Sequence, residues 1–272
     1  MIICEVGLNH QGDEQYSFEY VKELTKTKCE AITYQIREDS FYENEEYKYL
    51  KLPFSHYSKL ISTTHNNGKK FGVALAEHSL IDECEGLGVD FYKVLSWDLK
   101  NYDFIDNLLK TKKPIYVSTG MSPVEEIEEF CDRYSEEYFT DKITLIHTQL
   151  SFDVEDVNLK AMIAIGEKFD VKIGYSDHTL GIEVPIAAVA LGATVIEKHF
   201  TLDNTLPGPD HKASLEPDEL KNMVCAIRNI EEALIDRGEK APSKSEIKNI
   251  DIVRKSIHFT RDISIGEIIK DE

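Results

Sequence analysis

Cysteine is scarce in this chain and nowhere paired: Cys4, Cys29, Cys84, Cys131 and Cys225 are scattered, and no CxxC spacing occurs. An odd, dispersed set argues against a disulfide framework and against a zinc-ribbon site, so each reads as a buried or half-buried thiol. Positive charge is also short, with 31 Lys and Arg against 50 Asp and Glu, a formal net charge of −19. A surface of that sign disfavours nucleic-acid backbones and anionic membranes, and no partner of either kind is expected. An anionic substrate must then be held by a local cluster of positive groups or by a metal. No apolar run approaches the ~20 residues that span a bilayer. The longest, 184–196, is interrupted by Pro185, Gly192 and Thr194. Glu5 follows the first four residues with no basic or apolar leader before it, so a cytoplasmic location is the expectation.

What is present is enough for a large core: 272 residues, 42% hydrophobic and 30% charged. Eight β-rich runs, at 2–7, 31–35, 71–76, 91–94, 115–119, 143–147, 172–175 and 194–199, alternate with amphipathic stretches such as 16–27, 79–87, 102–110 and 123–134. Strands alternating with helices predict parallel βαβ units, and the nearly continuous apolar character of several runs suits strands covered on both faces. Eight units in about 200 residues predict a (β/α)8 TIM barrel rather than an open doubly wound sheet. A last helical pattern, 216–237, opens at Pro217 and closes near Gly238, which bounds the barrel domain at 1–238. The polar, proline-interrupted stretch 239–249 reads as a linker. The remaining 250–272 carries a strand-like patch at 256–260 and a turn at 265–266, and is too short for a core of its own.

In such a barrel the chemistry lies at the carboxyl ends of the strands. Those ends bring Glu5 followed by Asn9 and His10, then Gln35, Glu77 and His78, Lys93 with Ser96 and Asp98, Ser118-Thr119-Gly120, His147, Ser176-Asp177-His178-Thr179, and Glu197-Lys198-His199. So many polar ends on one side argue for a site. His178 and His199 end consecutive strands and become neighbours in a closed barrel. Two imidazoles with open coordination positions suit a divalent metal such as Mn²⁺, Zn²⁺ or Fe²⁺, with a carboxylate as a third ligand and Glu5 facing them from the first strand. An inward-pointing Lys93 is costly without an anion, so it implies a phosphate or carboxylate ligand. His147 serves either to orient a substrate or as a satisfied core residue. Lys198 alternates to the helix-facing side. Leu206-Pro207-Gly208-Pro209-Asp210 forms a rigid turn that presents Asp210 to substrate hydroxyls.

Five segments in order resemble the N-acetylneuraminate (sialic acid) synthase family, which includes the pseudaminic and legionaminic acid synthases. They are Ile3-Cys4-Glu5-Val6-Gly7-Leu8-Asn9-His10-Gln11-Gly12, Lys113-Pro114 with Ser118-Thr119-Gly120-Met121, Ser176-Asp177-His178-Thr179-Leu180-Gly181, Glu197-Lys198-His199-Phe200-Thr201, and Pro207-Gly208-Pro209-Asp210. The resemblance implies a (β/α)8 barrel that condenses phosphoenolpyruvate with an N-acetylated aldose, giving a 2-keto-3-deoxy nonulosonic acid and phosphate. It implies His178 and His199 as ligands of a divalent metal, Mn²⁺ foremost, with Mg²⁺, Co²⁺, Zn²⁺ or Fe²⁺ as alternatives, polarising the aldehyde oxygen. Glu5 matches an acid/base near the reacting centre, Gln35 and Asp210 match sugar contacts, and Lys93, Ser96 and Ser176 match part of the phosphoenolpyruvate cradle, with His147 as a further substrate contact. The segment 254–267 resembles the opening of the family's C-terminal antifreeze-like (SAF) domain, which in the family caps the barrel of a homodimeric partner and supplies it with an arginine.

The chain departs from the family pattern on one side of the site. Thr33 stands where the family has a lysine before the aromatic-Gln pair, and Val73-Ala74-Leu75-Ala76 replaces Ser-Thr-Pro-Phe. Trp97 follows Ser96 in place of glycine, and Thr148-Gln149-Leu150 replaces the Cys and Tyr-Pro that follow the sixth strand. A phosphate deprived of a lysine and a threonine forfeits charge-assisted hydrogen bonds of ~1.5–3 kcal/mol each. The metal and sugar half of the site reads as kept and the phosphate half as eroded. Three functions follow: a synthase of altered substrate, a lyase or isomerase acting on a sugar or keto acid without a phosphate donor, and a non-catalytic sugar-binding homologue in a glycan pathway.

Overall fold

The computed structural model of the protein describes residues 1–134 and 136–270. Eight parallel strands, β1 (Ile2–Gly7), β2 (Ala31–Ile36), β3 (Lys70–Leu75), β4 (Phe91–Val94), β5 (Ile115–Ser118), β6 (Ile143–Thr148), β7 (Ile173–Asp177) and β8 (Ile196–His199), pair in sequence order. β8 returns to pair with β1, Glu5 opposite His199, and closes the barrel. The connections carry α1 (Glu14–Thr25), α2 (Asp39–Tyr42), α3 (Phe54–Asn66), α4 (Ile81–Leu87), α5 (Tyr102–Lys110), α6 (Val124–Arg133), α7 (Glu136–Asp141), α8 (Leu159–Phe169) and α9 (Glu183–Ala190), and α10 (Pro217–Ala233) follows β8. This is the (β/α)8 architecture that the alternation of runs predicts. No helix among the described residues is long and apolar enough to cross a membrane.

Strand alternation divides the core in two. Outward-facing residues such as Cys4, Tyr34, Tyr92, Val117 and Tyr175 pack under the helices. Inward-facing Ile3, Ala31, Phe91, Tyr116, Ile146 and Val195 form a separate apolar cluster inside the barrel. That inner cluster is a floor: the Phe91 and Tyr116 rings meet edge to face, 5.2 Å apart at 81°. Gly72 makes room for it, since a Cβ there would lie 2.2 Å from the Phe91 ring. Polar side chains are thereby displaced toward the carboxyl ends of the strands.

Helix starts follow the cap chemistry written in the sequence. The Asp13 carboxylate accepts from the Tyr16 amide at 2.7 Å ahead of α1. Pro217 opens α10 behind a reciprocal Glu216/Glu219 capping box. α10 ends at Ala233, four residues before the expected 237.

The chain divides into two compact units, Met1–Leu234 and Ile235–Glu272. In the second, the expected linker is partly helical: α11 (Lys244–Val253) starts where Ser243 and Glu246 form a capping box, so the Ser-x-x-Glu signal outweighs the loop-like composition around it. The strand-like patch at 256–260 forms no strand. An isolated extended run has no ladder to satisfy its backbone groups, so it stays irregular. The turn at 265–266 is present, with Gly266 at φ +90°.

The floor yields a prediction. Gly72→Ala drives a methyl into the Phe91 ring, and overpacking of this kind costs about 1–3 kcal/mol. Denaturant unfolding should show that loss, and Phe91→Leu in the same chain should recover part of it. Unchanged stability of Gly72→Ala would mean the floor is loosely packed.

Candidate functional site

A cavity of ≈ 730 Å³ opens at the carboxyl ends of the strands. It is large enough for two small substrates together. Of the residues singled out in the sequence, Glu5, Gln35, Lys93, Ser96, His178, His199 and Asp210 line it. They come from β1, β2, β4, β7, β8 and the loops that follow, so a closed barrel is what makes them neighbours.

The innermost wall is a buried charge network. Lys93 forms an ion pair with Glu197, reaching from β4 to β8 through the barrel interior, and both side chains are almost wholly buried. Burial alone would push the Glu197 carboxyl up, but the Lys93 ammonium, with help from the Ser176 hydroxyl, outweighs it and holds the carboxyl low. Burial likewise works against the charged Lys93, and Glu197, Glu5 and Asp210 together raise it nonetheless. Glu5 lies beside this pair and fares differently. Burial, then the negative charge of Glu197, drives its carboxyl up to about 8 against the opposing pull of Lys93 and Thr33. The physical outcome is an ionised Glu197 locked to Lys93 and a Glu5 that keeps its proton at neutral pH.

Glu5 is also oriented. Its Oε2 accepts from Thr33 Oγ1 at 2.7 Å, while Oε1 is buried without a hydrogen-bond partner. Gly7, at φ +56° where the β1–β2 register shifts, turns the chain past the site. A Cβ at that residue would stand 3.6 Å from Glu5 Oε1, 3.6 Å from Asp210 Oδ2 and 3.5 Å from His199 Cε1. Those three groups therefore surround one small space.

His178 and His199 lie side by side, ring centroids 5.3 Å apart and planes tilted by 55°. Burial lowers both imidazoles, His178 to about 3 with further help from His199 and Lys93, so both are neutral and keep a free lone pair. The Nδ1 atom of each is buried without a partner. Two neighbouring orphaned nitrogens are unusual for an interior and fit a cation between the rings. The third, carboxylate ligand suggested by the sequence is not in place: among the described residues no three His, Cys, Asp or Glu side chains are grouped to hold a metal ion. His178 and His199 are therefore the residues that could hold a metal ion here, with two nitrogen donors between them.

Asp210 is set by a braced loop. The Asn9 amide donates to the Phe200 carbonyl at 3.0 Å and to Ser214 Oγ at 2.9 Å, and Ser214 Oγ donates to the Asp210 carbonyl at 2.7 Å. Gln11 Nε2 donates to the Pro207 carbonyl at 3.1 Å. Thr201 Oγ1 joins Tyr20 and His211 at 3.0 and 2.8 Å. The Asn-His-Gln run after β1 thus works as a clamp on the Asp210 turn.

Two expected site residues are not brought into the cavity. His147 faces the helix layer, its Nε2 bonded to the Val157 carbonyl at 2.9 Å and its ring stacked on Tyr175, because one residue of strand separates inward Thr148 from outward His147. Ser176 is buried beneath the cavity and serves Glu197. Lys198 points outward and pairs with Asp177, as alternation predicts. Sequence reasoning placed Glu197 among the polar strand ends but gave it no role, although its inward register was readable from His199 two residues on. It named the cavity-lining Ser118 and Thr148 without assigning them a place in the site, and passed over Arg37. Ser96, Ser118 and Thr148 form a row of hydroxyls, each 2.8 Å from the next.

Comparison with known proteins follows this geometry. The model of the NeuB family matches residues 17–239. An N,N'-diacetyllegionaminic acid synthase of Campylobacter jejuni is 37% identical over 301 residues, covering 100% of this chain and 88% of the relative. The N-acetylneuraminate-9-phosphate synthase of Homo sapiens is 30% identical, covering 86% and 70%. Among solved structures, the N-acetylneuraminic acid synthetase of Leptospira borgpetersenii in complex with citrate superposes with a TM-score of 0.81 at 30% identity, covering 94% of this chain and 92% of that one.

The proton on Glu5 has a stability signature. Its folded value of about 8 exceeds the ordinary 4.5, so its contribution to stability is full at low pH and is lost as pH rises through 8. Metal-free Glu5→Gln protein, which keeps the shape without the charge, should melt above the parent at pH 9 and close to it at pH 5. A melting difference independent of pH would show that Glu5 is not held protonated.

Proposed function

The chain belongs to the NeuB family, and on that premise we propose that it condenses phosphoenolpyruvate with an N-acylated aldose to give a 2-keto-3-deoxy sugar acid and phosphate. The observation that carries this reading is the convergence of Glu5, Gln35, Lys93, His178, His199 and Asp210 on one cavity. A cation, an uncharged acid, neutral imidazoles and hydrogen-bonding side chains are the groups that a carbon–carbon condensation between an enol and an aldehyde requires.

In the proposed reaction the enol carbon attacks the aldehyde carbon, forming the new bond and leaving an oxocarbenium centre at the carbon that bears the phosphate oxygen. Water adds there and one of its protons replaces the proton that Glu5 gives up; the carbon–oxygen bond to phosphate then breaks, the second water proton leaving with the phosphate as the keto group forms. Lys93, poised beside Glu197, receives the donor's negative charge, and the Ser96–Ser118–Thr148 hydroxyl row offers donors to its oxygens. Asp210 and Gln35 bind sugar hydroxyls and keep the open-chain aldehyde turned toward Glu5. Glu5, protonated and with Oε1 unengaged, gives its proton to the developing alkoxide. A divalent ion such as Mn²⁺, held by His178 and His199, supplies Lewis-acid polarisation of the aldehyde when bound.

A second reading draws on the phosphate side of the cavity. The Thr33 hydroxyl is taken by Glu5, Ala74 offers only a methyl, and Lys93 is already paired. With so little left for a dianion, lyase or isomerase chemistry on a sugar or keto acid without phosphoenolpyruvate is the alternative.

Purified protein with Mn²⁺, phosphoenolpyruvate and a panel of N-acylated aldoses should release inorganic phosphate, with activity lost on chelation and restored by the metal. Glu5→Gln should lower kcat about 10²–10⁴-fold with KM little changed. No phosphate release from the metal-loaded protein across the panel, together with binding of a sugar acid but not of phosphoenolpyruvate, would select the second reading.

A further inference from the structure

The histidine that strand alternation turns away from the main cavity opens onto another one. A second cavity, of ≈ 550 Å³, lies outside the barrel wall between the end of β6, the first turn of α6 and the middle of α8. That volume is in the range of small-molecule sites. His147 lines it from the strand, Val124 from α6, and Ala161, Ala164 and Ile165 from α8. Thr148 is common to both cavities, and on the barrel side its hydroxyl ends the row that begins at Ser96.

The His147 imidazole is fixed in one tautomer. Its Nε2 lies 2.9 Å from the Val157 carbonyl, which only accepts, so the ring proton sits on Nε2. Stacking on Tyr175, centroids 6.1 Å apart at 27°, holds the ring plane. Burial draws the imidazole below its usual value, so it is uncharged at neutral pH. Nδ1 is left with a lone pair and makes no hydrogen bond among the described residues, although the residue is only 3% exposed. A buried acceptor without a partner, on a side chain otherwise so firmly placed, calls for a donor from outside the chain.

The rest of the lining narrows what that donor is. The aliphatic side chains of α6 and α8 make an apolar wall, and the single ionised residue in the lining, Lys168, is paired with Glu128 at 2.8 Å. Glu125 and Glu126 already occupy the first turn of α6, where an anion would otherwise be drawn. An ionic ligand finds no unpaired charge here, and a carboxylate would face the Nδ1 lone pair. We propose that this second cavity is a binding site for an uncharged small molecule that donates an O–H or N–H to His147 Nδ1 and lays an apolar body against α8. Binding here is independent of the synthase reading. Because Thr148 walls both cavities, a molecule seated in the second lies directly behind the hydroxyl row of the first.

NMR titration of the full chain, labelled with ¹⁵N-histidine, tests this with four probes of similar size: benzyl alcohol, anisole, benzoate and benzylammonium. Benzyl alcohol should bind more tightly than either ion, and about 3–10-fold more tightly than anisole, which has the same number of heavy atoms but no donor; that ratio is the worth of one neutral hydrogen bond. On saturation the His147 Nδ1 resonance should move upfield, as for a lone pair that gains a donor, while those of His178 and His199 stay in place. Ala164→Phe fills the cavity from a solvent-facing position on α8 and should abolish binding with the melting temperature unchanged. His147→Phe keeps the ring without the acceptor and should bring benzyl alcohol and anisole level. An ion that binds best, anisole matching benzyl alcohol in the parent, a His147 resonance that does not move, or no binding by any probe would each overturn the proposal.

Discussion

One ion pair through the barrel interior conditions everything else in this cavity. Lys93 on β4 and Glu197 on β8 come from opposite sides of an eight-stranded cylinder, and neither can be buried without the other. Removing one partner from such a pair leaves an uncompensated interior charge that costs about 3–5 kcal/mol. Burial, reinforced by the ionised Glu197, keeps the neighbouring Glu5 protonated, and because Lys93 is raised it remains a cation in a strongly acidic protein. An acid, a cation and a base-like carboxylate thus coexist in a few ångströms of low-dielectric interior without any assistance from the surface charge.

The rest of the site is arranged around that fixed point by two simple devices. Strand alternation sends Thr33, Glu5, Glu197 and His199 inward while Tyr34, Cys4 and Lys198 anchor the same strands to the helix layer. The floor of Phe91 and Tyr116 fills the other end, and the cavity opens at the carboxyl side. The loops then supply what strands cannot. The Asp210 turn, held by Asn9 and Gln11, brings a carboxylate over the opening, and the segment carrying Arg37 and Phe41 builds the aromatic rim. The chain belongs to the NeuB family, and Glu5, Gln35, Lys93, His178, His199 and Asp210 line one cavity. On the side built by β2 and β3 the cavity has few free donors, with Thr33 diverted to Glu5 and Ala74 contributing none.

Much of this was legible before any coordinates. The eight β-rich runs fall within one or two residues of β1–β8, because strands buried on both faces leave a nearly continuous apolar trace. Most of the cavity residues were legible too, since polar groups at the ends of such strands have few structural reasons to be there. The misses have physical causes. His147 sits at a strand end like the others, but a period of two places it on the wrong face, and a shift of one residue in reading the register is enough to misplace it. The helix Lys244–Val253 was hidden by composition, although its Ser243-x-x-Glu246 cap was visible. Arg37 and Trp97 were invisible as a unit, because they come from different loops and meet only across the cavity mouth.

The amino-acid sequence by itself determined the barrel, its strand order and the list of groups collected at one end, since these follow from local periodicity and from the two-residue alternation of strands. Which of those groups share a space was decided by the tertiary structure alone. Closure of β8 onto β1 sets Glu5 beside His199, residues separated by most of the chain, and the neighbours each equally buried carboxyl meets there, Lys93 for Glu197 and Glu197 for Glu5, determine which is charged and which is not. Protonation is a property of the surrounding dielectric and neighbouring charges, and neither exists until the chain has folded.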